Sequence, residues 1–245
     1  MAPQSGARTG SRLPVPDSLR ATVTYVYDGD TLRVRLESGE NARVRLIGID
    51  APEYDDPKEE VRLMAFLAKR FAAARLNRCA VRLTFDRERT DSYGRVLAYV
   101  WTEDGSMFNE TALAGGFAAA YLKYPFDEGY RERFKELEAA AREAGAGMWH
   151  RGPRAETPAA AVGDSAGRVV SVRITCLRAF DRSSFRVLVP GEGRFEVLIP
   201  RSVLAALPGS LEFEGRSFRV TGLVEEYEGR PQIMVGVPLQ LQAAD

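Results

Sequence analysis

The chain is poor in sulfur and nearly devoid of imidazole, with two cysteines and one histidine among 245 residues. Cys79 and Cys176 lie nearly a hundred residues apart and fall in different predicted domains, so a disulfide framework is not expected. Both are expected as free, buried or partly buried thiols. With His150 as the single imidazole, a zinc centre has too few soft ligands. No apolar run reaches the ~18 residues that a membrane-spanning helix needs. Charge of one sign is also missing: 34 lysines plus arginines face 34 aspartates plus glutamates. Any pull on a polyanion must therefore come from local patches. Lysine is absent after Lys135, so every later cation is an arginine with a planar guanidinium suited to phosphate.

What remains is an ordinary soluble composition, 45% hydrophobic and 28% charged, long enough for two small domains with separate cores. Met1 to Asp17 is rich in Pro, Gly, Ser and Arg and lacks the apolar centre of a secretory signal. Residues 1–18 are expected as a disordered tail. The chain as given is expected in the cytoplasm, or secreted or periplasmic if an upstream signal was removed.

Ala21–Leu36 (ATVTYVYDGDTLRVRL) alternates at period two around an Asp-Gly step, which predicts a hairpin. A third strand is predicted at Ala42–Ile49, then an acidic, proline-bearing loop, APEYDDP. Helical spacing from Glu59 to Leu76 predicts an amphipathic helix. Strands follow at Ala80–Phe85 and Arg95–Trp101, and helices near Phe108–Gly115 and Tyr130–Ala144, the last stopped by Gly145. Five strands with helices inserted and appended fit a small barrel of the oligonucleotide-binding (OB) type.

Residues 152–166 turn to Pro, Ala, Gly, Thr and Ser and read as a linker. Beyond it, strands are predicted at Arg168–Phe180, Ser184–Val189 and Arg194–Ile199, a short helix at Arg201–Leu207, and strands at Ser217–Tyr227 and Pro231–Val235. Three strands, a helix and two strands repeat the OB element order. The expected class is therefore mainly β with α (α+β): a barrel with added helices over 19–151 and a second small OB-type barrel over 167–245.

Four stretches carry charged or aromatic residues that a fold alone does not require. Asp28-Gly29-Asp30-Thr31 taken alone reads as a turn, since Asp-Gly is a common type I′ pair. Arg45 could be a solvated strand residue and Asp50, before Ala51-Pro52, a strand terminator. Asp91-Ser92-Tyr93-Gly94-Arg95 alone is a turn, and Ala120-Tyr121-Leu122-Lys123-Tyr124-Pro125 an aromatic loop that could pack a helix. Together they supply what phosphodiester hydrolysis needs. That is a base for water, positive charge on the phosphate oxygens, and hard oxygen ligands suited to Ca²⁺. Two arginines can clamp a phosphate with paired N–H groups.

DGDT, RLIGIDAPE, DSYGRVLAYV, Asn109-Glu110 and Gly147-Met148-Trp149, in this order, resemble the staphylococcal nuclease (thermonuclease) family over about residues 19 to 151. The resemblance implies a calcium-dependent hydrolase cutting DNA and RNA at the 5′ P–O bond and leaving 3′-phosphate ends. It implies that Asp30 and Asp50, with the backbone carbonyl of Ala51, ligate Ca²⁺, and that Asp28 stands behind them holding water. Glu53 would be the general base or position the attacking water. Arg45 and Arg95 would bind the scissile phosphate, and Tyr93 and Tyr121 would line the nucleotide pocket. Ser92 stands where well-known members have a lysine that contacts a terminal phosphate, which bears on affinity and end preference. Ala51 replaces a common threonine, tolerable where only the backbone oxygen coordinates.

Phe218–Gln242 resembles bacterial OB modules with a V-T-G-x-V-x-x-Y-x-G-x-P-Q-I pattern, several of which bind single strands. On this reading Phe180, Phe185 and Tyr227 are stacking platforms and Arg173, Arg178, Arg182 and Arg186 track phosphates. Equally, the aromatics could fill the barrel and the arginines form a solvated face. The expected partners are DNA and RNA, single strands preferred, bound by a monomer with no membrane contact. The alternative is a catalytically silent adaptor that binds nucleic acid or protein through the same barrels.

Overall fold

A computed structural model describes residues 18–152, 154–207 and 212–244. The expected tail, apart from Ser18, lies outside the described residues.

The first unit runs β1 (Ser18–Val26), β2 (Thr31–Leu36), β3 (Asn41–Leu46), β4 (Ile49–Asp50), α1 (Glu59–Leu76), β5 (Ala80–Thr84), β6 (Val96–Trp101), α2 (Phe108–Ala114), β7 (Ala119–Ala120) and α3 (Glu128–Glu143). Its strands close in the order β1-β2-β3-β6-β5, with β5 returning to β1. All pairings are antiparallel except β3 with β6, which are parallel. Alternation along the strands sends Val23, Val34, Val44, Leu83 and Val100 into a fully buried core.

The predicted third strand ends early. The chain turns at Ile47-Gly48, with Gly48 at φ 73°, before β4 pairs with β7. A side chain at Gly48 would also meet the Phe134 ring at 2.7 Å, so both backbone and packing demand glycine there. The last helix starts two residues earlier than its hydrophobic spacing indicates, because Asp127 caps it by accepting the Tyr130 N–H at 3.1 Å.

The second unit runs β8 (Val169–Arg182), β9 (Phe185–Pro190), β10 (Glu196–Pro200), α4 (Arg201–Leu204), β11 (Ser217–Tyr227), β12 (Arg230–Met234) and β13 (Leu241–Ala243). Strands β8-β9-β10-β12-β11 form a second closed ring, again with one parallel pair, β10 with β12. Both units are therefore five-stranded barrels of one topology, each with a helix after its third strand, and the class is α+β. The short β13, which hydrophobic patterning does not reveal, adds to the β11 edge. Val162, in the stretch that reads as a linker, is fully buried in the second core, and Glu156 bridges to Ser171. Both cysteines are free thiols. Among the described residues no helix is long and apolar enough to cross a membrane.

Helix α1 lies between the barrels. Its inner face buries Leu63, Leu67, Phe71 and Leu76 in the first core. From the second barrel, Leu223 joins that core, and Val237 and Leu239 pack on it. Arg70 of α1 reaches across to Glu225 of β11, donating from Nε at 3.0 Å and Nη2 at 2.7 Å to Oε2.

Candidate active site

The β1–β2 connection brings the first acids to the barrel rim. Asp28 Oδ1 accepts the Asp30 N–H at 3.0 Å and fixes the loop between the strands. Gly29 lacks the left-handed φ of a type I′ turn. It is glycine for space, since a Cβ there would stand 2.7 Å from the Ala51 Cβ and 2.9 Å from the Ala68 Cβ. The loop can therefore press against both α1 and the Asp50-Ala51 segment.

That contact sets Asp30. Its carboxylate is buried, with Oδ2 accepting the Ala51 N–H at 2.6 Å and Oδ1 accepting the Thr31 hydroxyl at 3.0 Å. Arg45, leaving β3, inserts between two acids, with Nη1 3.2 Å from Asp30 Oδ1 and Nη2 2.7 Å from Asp50 Oδ1. Nη1 also donates to the carbonyls of Leu46 and Ile49, at 3.1 and 2.7 Å. Nε and one Nη2 hydrogen are left as prongs for an incoming anion.

Two carboxylates, Asp30 and Asp50, contact this guanidinium, and Asp28 and Glu53 belong to the same electrostatic neighbourhood. Burial pushes the Asp30 carboxyl up to about 7; Arg45 opposes this and the charge of Asp28 adds to it. Glu53 is raised above its ordinary 4.5, first by partial burial and then by Asp28, Asp50 and Asp55, with Arg45 opposing. Mutual influence of this kind places Asp28, Asp30, Arg45, Asp50 and Glu53 in one neighbourhood.

Arg95 is anchored by a different acid. Asp91 accepts its Nε–H at 2.7 Å and its backbone N–H at 2.9 Å. Tyr93 is 84% exposed on the same turn, its ring 5.5 Å from the Arg95 guanidinium. Parallel pairing of β6 with β3 sets Leu97 beside Arg45, two residues beyond Arg95 on the neighbouring strand. Tyr121 is half-buried just after β7, its N–H donating to the Gly48 carbonyl at 2.8 Å, which anchors it beside the strand that ends at Asp50.

The donor set fits a hard cation. Every donor is oxygen, one carboxylate is buried amid excess negative charge, and Asp30 Oδ2 has an unused lone pair. Among the described residues no three acidic, histidine or cysteine side chains form a ready-made cage. An ion here would thus draw on two carboxylates, the Ala51 carbonyl and water.

Two supporting residues carried no assigned role in the sequence. Buried Asn109 accepts the Val100 N–H at 3.0 Å and donates to the Ile47 carbonyl at 2.9 Å, tying the β3–β4 turn to β6. Asp91 positions Arg95, and its spacing of four from that arginine was the available signal. In the second barrel, Arg173, Arg182 and Arg186 pair with Glu156, Glu196 and Asp181. Arg178 lies 4.8 Å from the Phe180 ring; Phe185 is half-buried and Tyr227 is 61% exposed.

The sequence matches the staphylococcal nuclease homologue family over residues 43–151. A thermonuclease of Staphylococcus intermedius is 39% identical over 129 residues, covering 53% of this chain and 75% of that protein. A thermonuclease of Staphylococcus hyicus is 35% identical over 127 residues, covering 52% and 73%. Endonuclease YncB of Bacillus subtilis (strain 168) is 31% identical over 132 residues, covering 54% and 62%. On this likeness, with the barrel and rim that carry it, the chain belongs to the staphylococcal nuclease homologue family.

Proposed function

We propose that the chain is a calcium-dependent nuclease that hydrolyses DNA and RNA, with the second barrel adding affinity for the strand. The observation that carries this reading is the rim cluster itself: Arg45 pairs with Asp30 and Asp50, the charge of Asp28 and Glu53 adds to theirs, and the guanidinium still has two N–H groups to offer. A purely structural ion pair needs one acid per arginine; the surplus negative charge calls for a cation, and the free N–H groups for an anion.

Asp30, Asp50 and the Ala51 carbonyl would hold Ca²⁺, with Asp28 ordering water nearby. Calcium, when bound, supplies positive charge and a template for the phosphate. Arg45 meets the phosphate with its Nε and Nη2 hydrogens, and its contacts to Leu46 and Ile49 keep the fork from turning. Arg95, fixed through Nε by Asp91, has its Nη groups for the same purpose. Glu53, exposed and with its carboxyl raised above its ordinary value, takes a proton from the attacking water as the P–O5′ bond breaks. The expelled 5′-oxygen takes a proton from solvent water, and the products are a 3′-phosphate and a 5′-hydroxyl. Tyr93 and Tyr121 line the nucleotide pocket, and the protein acts as a monomer with single strands preferred.

Single-stranded DNA and RNA incubated with Ca²⁺ or with chelator, followed by end-group analysis, test the reading. Calcium-dependent shortening with 3′-phosphate ends supports it. Binding without cutting under both conditions would favour an adaptor and overturn it.

A further inference from the structure

Strand β1 does not keep its alternation. Ala21 and Val23 are buried, and strict alternation would send Tyr25 inward after them. A bulge at Thr24 resets the register: Val23 pairs with Val34, but Tyr25 pairs with Arg33. Tyr25 consequently turns outward, 43% exposed, while Val26 returns to the core. Bulges commonly re-aim a side chain beside a site in this way.

The re-aimed ring meets a row of cations. Arg33 sits opposite Arg43 across β2 and β3. Their guanidinium carbons lie 5.6 Å from the Tyr25 ring and 4.5 Å from the Tyr27 ring respectively. The two tyrosine rings meet edge to face at 5.0 Å. From α1, Lys69 Nζ lies 5.4 Å from the Tyr25 ring and 5.7 Å from that of Tyr54, itself 38% exposed. Like charges directly opposite on neighbouring strands repel. Among the described residues no carboxylate forms an ion pair with Arg33, Arg43 or Lys69 to relieve them. The patch borders the acidic rim on two sides, since Tyr27 precedes Asp28 and Tyr54 follows Glu53.

Two exposed tyrosines and the half-buried Tyr27, interleaved with cations that have no carboxylate partner among the described residues, suit unpaired bases on a phosphate backbone. A duplex buries those base faces in its own stack. We propose that Tyr25, Tyr27 and Tyr54, with Arg33, Arg43 and Lys69, form a stacking subsite for a nucleotide of single-stranded substrate outside the scissile phosphodiester. The subsite rests on the nuclease reading above, which makes the neighbouring rim the place where the strand is cut.

The test measures binding of a fluorescent single-stranded oligonucleotide in chelator, so that it does not depend on hydrolysis. Kinetics with calcium then follow on the oligonucleotide and on a chromogenic single-nucleotide diester. The double variant Y25A/Y54A should weaken oligonucleotide binding roughly 5- to 150-fold. The loss should appear in KM rather than kcat and be several-fold smaller on the short diester. The pair Y25F/Y54F, keeping the rings, should retain affinity. Should the alanine pair fail to fold, R43Q/K69Q serves instead, flattening the slope of log Kd against log salt by about 0.7 for each phosphate no longer neutralised. Oligonucleotide affinity within twofold of the parent in every variant would overturn the proposal, as would an equal loss of heparin binding, which marks a general anion surface. Variants that lose binding in a protein that never cuts would refute the nuclease reading and leave the subsite standing.

Discussion

Gly29 shows how one missing methyl group can organise a site. Its backbone lies so near Ala51 and Ala68 that any side chain must push the Asp28–Asp30 loop away from both. Gly29→Ala is expected to cost about 1–3 kcal/mol of stability from overpacking. It should also lower activity beyond that loss, because the Ala51 N–H would be drawn off Asp30. Urea denaturation and steady-state rates on the same preparation separate the two effects. Unchanged stability and rate would show that the loop has slack. Arg45 presents the complementary case, its orientation fixed by two carbonyls and two carboxylates before any ligand arrives.

At the scale of elements, β5, β6 and the start of α3 are fastened together by Asp86. Burial opposes its ionisation, but the N–H groups of Arg87 and Asp127 and the Tyr99 hydroxyl outweigh burial, and the carboxyl is held below its ordinary 3.8. A depressed carboxyl contributes stability above the unfolded value that is lost as pH falls through the folded one. Asp86→Asn should therefore flatten the decline in stability as pH falls through and below the ordinary carboxylate range, read as urea midpoints against pH. An unchanged acid limb would assign that decline to other groups. The elements themselves were largely legible from sequence. Helix α1 runs Glu59–Leu76 as its spacing indicates, and both barrels follow the predicted order of strands and helices along the chain. The Thr24 bulge, β4, β7 and β13 were not legible, because each depends on a pairing partner rather than on its own pattern. The acids and Arg45 of the rim were found as motifs. Their shared neighbourhood, and the separate anchoring of Arg95 by Asp91, needed coordinates.

Across the whole molecule, α1 works as a wall common to both barrels. Glu225 is almost fully buried beneath Arg70, and burial raises its carboxyl despite that guanidinium. Removing one member of such a pair strands the other, so Arg70→Ala is expected to cost about 2–3 kcal/mol, reduced from a fully buried case by the partial exposure of Arg70. The matched pair R70L/E225L should recover most of this. Thermal unfolding should show one shared transition in the parent and two in R70A; a single unshifted transition in R70A would mean that the barrels are coupled by apolar contacts alone.

The rim chemistry depends most on Glu53, and its amide replacement keeps size while removing the ability to take a proton. Steady-state cleavage of a single-stranded oligonucleotide in calcium by the parent and by Glu53→Gln, with melting temperatures matched, therefore tests the nuclease reading most directly. A fall in kcat of roughly 10²-fold or more, with binding retained, is the expected result. Equal rates for the two proteins would contradict it.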